Sequence, residues 1–581
     1  MSKFTDFLNL FMWDTNNSED LDSSYDIDRA VNDNWKKIDD KMKEINDGKV
    51  DKVTGKGLST NDFTAALLTK LNGIAAGAQV NLLEGLTLGG KALTISNKKI
   101  EIKDEEVTNA RTSAIKGKTY DTVDARLEDI EENIENIESS RGHVYGVRRK
   151  ISSNSSSAWE RTDDAIGLVA NAQKGTSAVI NDFDNLSPWK DIISFNLDLT
   201  TGKKKAYYGD ADFAFDGSNG DVYTHIPEFW IKIYQENDYQ YIKIADYAKT
   251  GFTKIEAFDI ARYHGSVGTD GILHSYTGLV PSYNKTLPAF RTLAKALGDE
   301  YCLLDYRQFV LQYLYLVEYA HYNTQSILGQ GMCSMRVNNA DVALIAESGV
   351  NRFIVNTSAG SAFYVGQTIS IGTSAAWNAS VAADRTITAI NDYSDGDIVG
   401  KEIVFDGAAV NIALTNVIWS SSQKEGGCDS LGMKSGCLVN DGKHSVIYRG
   451  VENPLGNVFS WVDGINIKDH QAYICYDPTQ YVCDKFEAPY EKLGYVNATE
   501  NGYSKSLGFD INHPLVQLPT EVGGSNSTYT ADYYYQNTGN RVARVGGHFY
   551  YGANGGLWCW YLSNASSGSS WNVGVRVLKY Q

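Results

Sequence analysis

Three acidic pairs, Asp163-Asp164, Asp182 with Asp184, and Asp210 with Asp212, offer neighbouring carboxylates of the kind that hydrolysis or calcium binding requires. Two carboxylates facing each other can divide into the acid and base of a glycosidase, and carboxylates in a tight loop can supply oxygen ligands to calcium. Acidic residues this close in sequence also occur wherever a turn carries its charges into water, and that reading is favoured here. His264, His274 and His321 belong to no motif that ties an imidazole to a nucleophile or a metal. The seven cysteines (Cys302, Cys333, Cys428, Cys437, Cys475, Cys483, Cys559) include no C-x-x-C and have no histidine at zinc-ligand spacing, so they read as reduced small hydrophobes. Cys428 with Cys437, or Cys475 with Cys483, are the pairs that oxidation would join. With no phosphate loop, nucleophile elbow or zinc-helix motif, the expectation is a chain without catalytic residues, metal or cofactor.

The chemistry that stands out is that of contact. From Ser525 to Gly574, Ser, Asn, Gly, Tyr and Trp make up more than half of the residues. This is the vocabulary of antibody combining loops, where Tyr offers large amphipathic area with few rotatable bonds and Ser, Asn and Gly adapt the hydrogen bonding around it. Side chains alternate along an extended chain, so in Leu557 to Ser563 one face carries Trp558, Trp560 and Leu562 and the other Cys559, Tyr561 and Ser563. One face is expected to fill a core while the other meets a ligand. Tyrosines also pack ordinary β surfaces, but the run Tyr533-Tyr534-Tyr535 cannot face inward throughout.

Positioning such a surface falls to several modules, because 581 residues exceed one core of ordinary size. With 36 Tyr, 11 Trp and 53 Gly against 9 Pro, the composition predicts a mainly β chain with α+β character and many turns. The formal net charge of -18 argues against nucleic acid, whose binders release counterions with clustered Lys and Arg. No apolar run is long enough to span a bilayer and the N-terminus has no secretion signal, so cytosolic synthesis without membrane insertion is expected.

Residues 1–47 open on an apolar head and continue with Ile27, Val31, Trp35, Ile38 and Met42 at helical spacing, a stripe that folds back on its own domain or docks on another component. In residues 48–118, Ser59 to Asp62 reads as a helix N-cap cluster, and Leu82 to Ile102 as short strands turning at Gly89-Gly90 and Asn97-Lys98. Residues 119–140 place Leu127 and Ile134 at a positions and Ile130 and Ile137 at d, with Arg126 at g and Glu131 at the following e. Ile at both core positions favours a parallel trimer over a two-stranded coil, and a helical hairpin within a monomer is the alternative. Residues 141–336 and 418–581 are expected to form one distal domain, interrupted by a β-module at 337–417 whose Val, Ile, Ala and Thr alternate between Gly turns.

The run Gly55-Lys-Gly-Leu-Ser-Thr-Asn-Asp-Phe63, with Lys70-Leu-Asn-Gly-Ile74 and Gly77-Ala78, resembles a short module of phage tail-fibre and baseplate proteins. In the distal part, Ile226-Pro-Glu-Phe-Trp, Leu297 to Phe309, Glu452-Asn-Pro-Leu-Gly-Asn-Val-Phe-Ser-Trp461 and the terminal Arg541 to Leu578 together resemble the C-type-lectin-like fold of formylglycine-generating enzymes and of the variable proteins of diversity-generating retroelements. Leu455 stands where that hallmark more often has Trp. An enzyme of this type would need two neighbouring redox cysteines near the C-terminus, whereas Cys559 has no companion downstream of Cys483. The resemblance therefore implies a ligand-binding protein. Matched residue by residue, its variable positions fall on His548, Tyr550, Tyr551, Asn554, Cys559, Tyr561, Ser563 and Asn564, with Tyr533, Tyr534, Tyr535 and Asn537 as neighbours. The implied whole is a homotrimeric fibre in the virion, docked on other tail or baseplate proteins by its N-terminal segment and binding a host-surface protein or glycan. A tailspike-type glycan hydrolase and a purely structural baseplate or fibre component are the alternatives.

Overall fold

The computed structural model describes residues 118–140, 142–373 and 378–580, with isolated short pieces ahead of Lys118. The chain divides into two units, Met1–Ser140 and Arg141–Gln581. Of the first unit's expected elements, the helix through Trp35 is described only at Lys36 and Asp40, both helical. Its apolar stripe, the cap cluster Ser59–Asp62 and the turn at Asn97-Lys98 lie outside the described residues. The turn expected at Gly89-Gly90 also lies outside the described residues, while Thr87–Leu88 and Lys91–Ala92 on either side of it form an antiparallel pair.

Helix α1 (Val123–Ser140) starts where the Thr122 hydroxyl accepts a hydrogen bond from the Ala125 N–H at 2.9 Å, satisfying one of the donors that a helix start leaves unpaired. The Tyr120 hydroxyl reaches forward to Asp129 at 2.8 Å and clasps the first turns. Leu127 and Ile130 are 50% and 42% exposed. The side chains of Ile134 and Ile137 lie outside the described residues.

The second unit is mainly β. Its six-stranded sheet runs Lys203–Tyr207, Ile193–Asp198, Asp221–Ile226, Phe258–Ala261, Val577–Tyr580, Tyr301–Leu303, so the strand Val577–Tyr580 sits between two strands that precede it by more than 270 residues. A five-stranded sheet contains Phe229–Glu236, in which Phe229, Ile231 and Ile233 are buried while Lys232 is exposed, the period-two pattern of a half-buried strand. Helix α2 (Leu287–Lys295) is capped by Thr286 and has Pro288 in its first turn. Helix α3 (Arg307–Tyr319) is buried along its whole length and stops at Ala320, in the left-handed conformation. Residues 337–420 carry their own core, around Phe353, Ile369, Ile387 and Ile403, under a five-stranded sheet. That sheet closes with Val417–Ser420, so the inserted module runs past the expected boundary at 417.

The acidic residues lie mostly exposed, in and beside turns as expected, and several also brace local structure there. Asp163 pairs with Lys243 at 2.9 Å, Asp164 accepts the Val144 N–H, Asp182 the Val169 N–H and Asp210 the Tyr207 N–H, and Asp184 pairs with Arg449 at 2.8 Å. All seven cysteines are free thiols, with Cys483 alone partly exposed. At the end of α3, Glu318 is fully buried and accepts from Arg449 Nη2 at 2.7 Å, Arg449 Nε at 3.1 Å, the Tyr448 hydroxyl at 3.0 Å and Asn181 at 2.7 Å. This ties three distant segments together. Removing one partner of such a pair strands a charge in the interior, at a cost of ~3–5 kcal/mol. Arg449→Leu is therefore expected to lower unfolding stability by about that amount in urea titration, and a loss below about 1 kcal/mol would show that Glu318 finds another partner.

Candidate functional site

The sheet that carries the terminal tyrosines is built around five strands: β1 (Phe459–Lys468), β2 (Gly502–Leu507), β3 (Tyr533–Gln536), β4 (Asn540–Gly546) and β5 (Gly556–Asn564). Their spatial order is β1-β4-β5-β3-β2. β4 is antiparallel to both neighbours, and β3 runs parallel to β5. Asp532 fixes the start of this parallel pair, its carboxylate accepting the Trp558 N–H at 2.7 Å. Gly556 makes room for it, since a Cβ there would meet the Asp532 carboxylate at 2.1 Å.

One face of the sheet is interior along its centre. Tyr534, Ala543, Val545, Trp558, Trp560 and Leu562 join the main core, with Trp560 stacked on Phe309 of α3 at 4.9 Å. The other face divides. Its inner part, Phe459, Trp461, Val542 and Cys559, covers a second core built with Phe195, Tyr223, Phe290 and Leu303. Its outer part is the candidate site.

Register places Trp461, Arg544, Tyr561 and Tyr535 side by side across β1, β4, β5 and β3, and cross-strand neighbours on one face interact directly. The Arg544 guanidinium lies 4.4 Å from the Phe459 ring and 3.7 Å from the Tyr561 ring. Tyr561 stacks on Tyr535 at 4.7 Å with planes 6° apart. Tyr533 follows at 6.3 Å, and Tyr503 of β2 meets Tyr533 edge-on at 5.2 Å. The Tyr503 hydroxyl donates to Asn554 at 2.6 Å, tying the loop before β5 to the row. Tyr551 rests on Phe459 at 5.1 Å, and burial pushes its phenol far above the usual range. Arg544 itself is buried, its Nε and Nη1 have no hydrogen-bond partner, and burial lowers its pKa. Rings on both sides stand in for the carboxylate that a buried guanidinium usually finds.

The sequence-derived residues fall into three groups. Tyr533, Tyr535, Tyr551, Asn554 and Tyr561 are brought together as described, and Tyr550 is 49% exposed, more open than Tyr535 at 37%. Asn537, Ser563 and Asn564 reach the surface at the far ends of β3 and β5. Tyr534, His548 and Cys559 are corrections, because all three are interior. Tyr534 points to the main core and donates to the Ala498 carbonyl at 3.1 Å. Cys559 has the predicted side of β5, but the second core lies over it and burial holds its thiol protonated. His548 is packed among Phe459, Tyr551 and Trp571. Tyr503 and Arg544 were not among the expected contact residues. Pairing of β2 with β3 places Tyr503 there, a relation no local pattern encodes.

No protein-family model matches the chain, and no curated protein matches it in sequence.

Burial, and then the Arg544 charge, lower the pKa of His548 to about 3. Its Nδ1 accepts the Tyr550 N–H at 3.3 Å, which requires the neutral ring. Above pH ~6.5 the ring is neutral whether the chain is folded or unfolded, and it contributes no pH dependence. Below that the unfolded chain takes up a proton that the folded chain refuses, so stability falls by ~1.4 kcal/mol per pH unit until the folded ring titrates. His548→Gln should flatten the decline in unfolding free energy between pH 6 and pH 4 by about that slope. Parallel wild-type and variant curves would mean that His548 is charged or solvated in the folded protein.

Proposed function

We propose that this protein is a receptor-binding adhesin of a bacteriophage tail, attaching to a protein or glycan of the host surface through the face that carries Tyr503, Tyr533, Tyr535 and Tyr561, together with the exposed Tyr550 of the loop between β4 and β5. The single observation behind this reading is the stacked row from Arg544 to Tyr535, backed by one core and bounded by a second. Rings held in place before any partner arrives lose little entropy on binding, and amphipathic tyrosine serves both protein and sugar ligands. The resemblance of residues 55–78 to a tail-fibre module, and of Glu452–Trp461 with the terminal segment to lectin-like variable proteins, points the same way. In that reading the distal unit is a C-type-lectin-like domain, and the surface positions of β3, β5 and the loop between β4 and β5 are those free to vary.

The exposure of Leu127 and Ile130 on α1 supports a parallel trimer, because apolar side chains on a short helix gain stability by packing against copies of themselves. The N-terminal segment then docks on a tail or baseplate protein. Three heads on one stem raise the effective concentration of each at the cell surface, so modest single-site affinity suffices for firm attachment.

Two experiments test this proposal. Fluorescently labelled full-length protein, scored for binding across a panel of intact bacteria, should lose about tenfold or more in affinity for its positive strains on Tyr535→Ser combined with Tyr550→Ser, with an unchanged melting temperature. Unaltered binding would favour a structural role, and shortening of soluble host polysaccharide on incubation would favour a hydrolase. Light scattering should give a particle three times the 64.0 kDa chain mass, falling to one chain for Leu127→Lys with Ile130→Lys. A wild-type monomer would remove the trimer.

A further inference from the structure

A cavity of about 210 Å³ lies away from the tyrosine row, where the inserted module meets the terminal segment of the distal unit. Its aromatic walls are Tyr283, Trp419, Phe549 and Trp571, and Ser421 and Ser422 line it as well. Phe549 and Trp571 pack on each other at 5.4 Å, so this wall is a fixed ring pair. Next to it the Asp384 carboxylate accepts the Tyr283 hydroxyl at 2.7 Å through Oδ2.

Three polar groups here are short of hydrogen-bond partners. Ser422 Oγ is buried without a hydrogen-bond partner in the chain, and the Ser421 hydroxyl and the Asp384 carboxylate have only each other beyond the Tyr283 contact. Each such atom costs free energy unless something fills its demand, and native interiors hold few of them. A free hydroxyl next to the Ser421–Asp384 pair, beside an aromatic cavity, offers hydrogen bonds to a polar occupant. A serine hydroxyl moves between staggered positions by one χ1 rotation, so both can turn toward the space. Asp384 sits at a left-handed backbone position, φ 48°, that few non-glycine residues adopt without support from their surroundings.

We propose that this seam cavity is a binding subsite for a single uncharged pyranose ring, with the apolar face of the sugar against Trp571 and Phe549 and its hydroxyls on Ser421, Ser422 and Asp384. The chemistry selects this class. The aromatic wall asks for a flat apolar surface, the serine hydroxyls and the carboxylate ask for several O–H groups at the ring's edge, and the lining includes no Lys or Arg to receive an anionic sugar. The volume lies below the ~300–1,000 Å³ of pockets that enclose drug-sized ligands, which limits the occupant to about one ring. The subsite shares no residue with the stacked tyrosine row and stands whether or not that row binds a receptor.

The test is saturation-transfer NMR on the full-length protein with the methyl pyranosides of glucose, galactose, mannose and N-acetylglucosamine, each compared with a trisaccharide ending in the same sugar. At least one methyl pyranoside should receive saturation, strongest on the ring protons of one face. Transfer to the trisaccharide too would assign the subsite to the end of a glycan chain, and transfer to the small glycoside alone to a free sugar. Trp571→Ala should weaken the responding sugar about tenfold or more. Ser422→Ala, which removes a hydroxyl without adding bulk, should weaken it severalfold and serves if the tryptophan variant does not fold. Tyr535→Ser should leave the signal unchanged. Absence of transfer to all four sugars, or equal transfer in wild type and Ser422→Ala, would overturn the proposal.

Discussion

Arg576 closes the distal unit, and the placement of every strand in the candidate site follows from the buried polar cluster around it. Its guanidinium donates to the carbonyls of Ala261 and Arg262 at 2.9 and 2.7 Å and to those of Glu452 and Asn453, tying the end of the chain to an early strand and to the loop before β1. Beside it Glu425 accepts from Asn453 and Asn457, both at 2.8 Å, and bonds His264 at 2.9 Å, while Glu452 accepts backbone N–H groups of Gly426, Gly427 and Cys428. Burial raises the pKa of both glutamates and drives that of His264 far down, so each group depends on its neighbours for the solvation it has lost. Asn453 and Asn457 adopt left-handed backbone that Asn tolerates better than most residues. Asn457 stands two residues before β1, so the cluster sets where that strand begins.

From β1 the constraint passes outward by register. β4 pairs with β1, β5 with β4, and β3 with β5, and the side chains in line are Trp461, Arg544, Tyr561 and Tyr535. The row starts in the second core and ends in the open, with a buried arginine between two rings as its hinge from interior to surface. A partner that touched Tyr535 and Tyr561 would meet rings whose positions are set by the packing beneath them, which is the condition for a surface that varies its outer residues without losing its fold. The tyrosines are thus positioned by the same contacts that stabilise the domain.

Much of this was legible in the sequence, and what was not has a physical reason. The mainly β character of the chain and the inward set Trp558, Trp560 and Leu562 follow from composition and local alternation. Alternation gives the side on which a residue lies but not what lies opposite. Cys559 is on the predicted face, yet residues more than two hundred positions earlier, Phe195 to Leu303, cover it. Tyr534 is interior and Tyr535 open because a strand cannot send consecutive side chains the same way, whereas which of the two faces water depends on β5. Tyr503 and Arg544 gain their places from strand pairing alone. The acidic pairs sit at the exposed turns expected of them and also hold backbone N–H groups and cations there.

Hydroxyl-radical footprinting of the intact protein, free and bound to a strain that it recognises, tests the central claim most directly because it reads individual tyrosines. The account predicts strong modification of Tyr535 and Tyr550 in the free protein, suppression of both on the cell surface, and little change at the buried Tyr534. Suppression confined to residues outside the face formed by β2, β3 and β5, with Tyr535 and Tyr550 modified equally in both states, would contradict it.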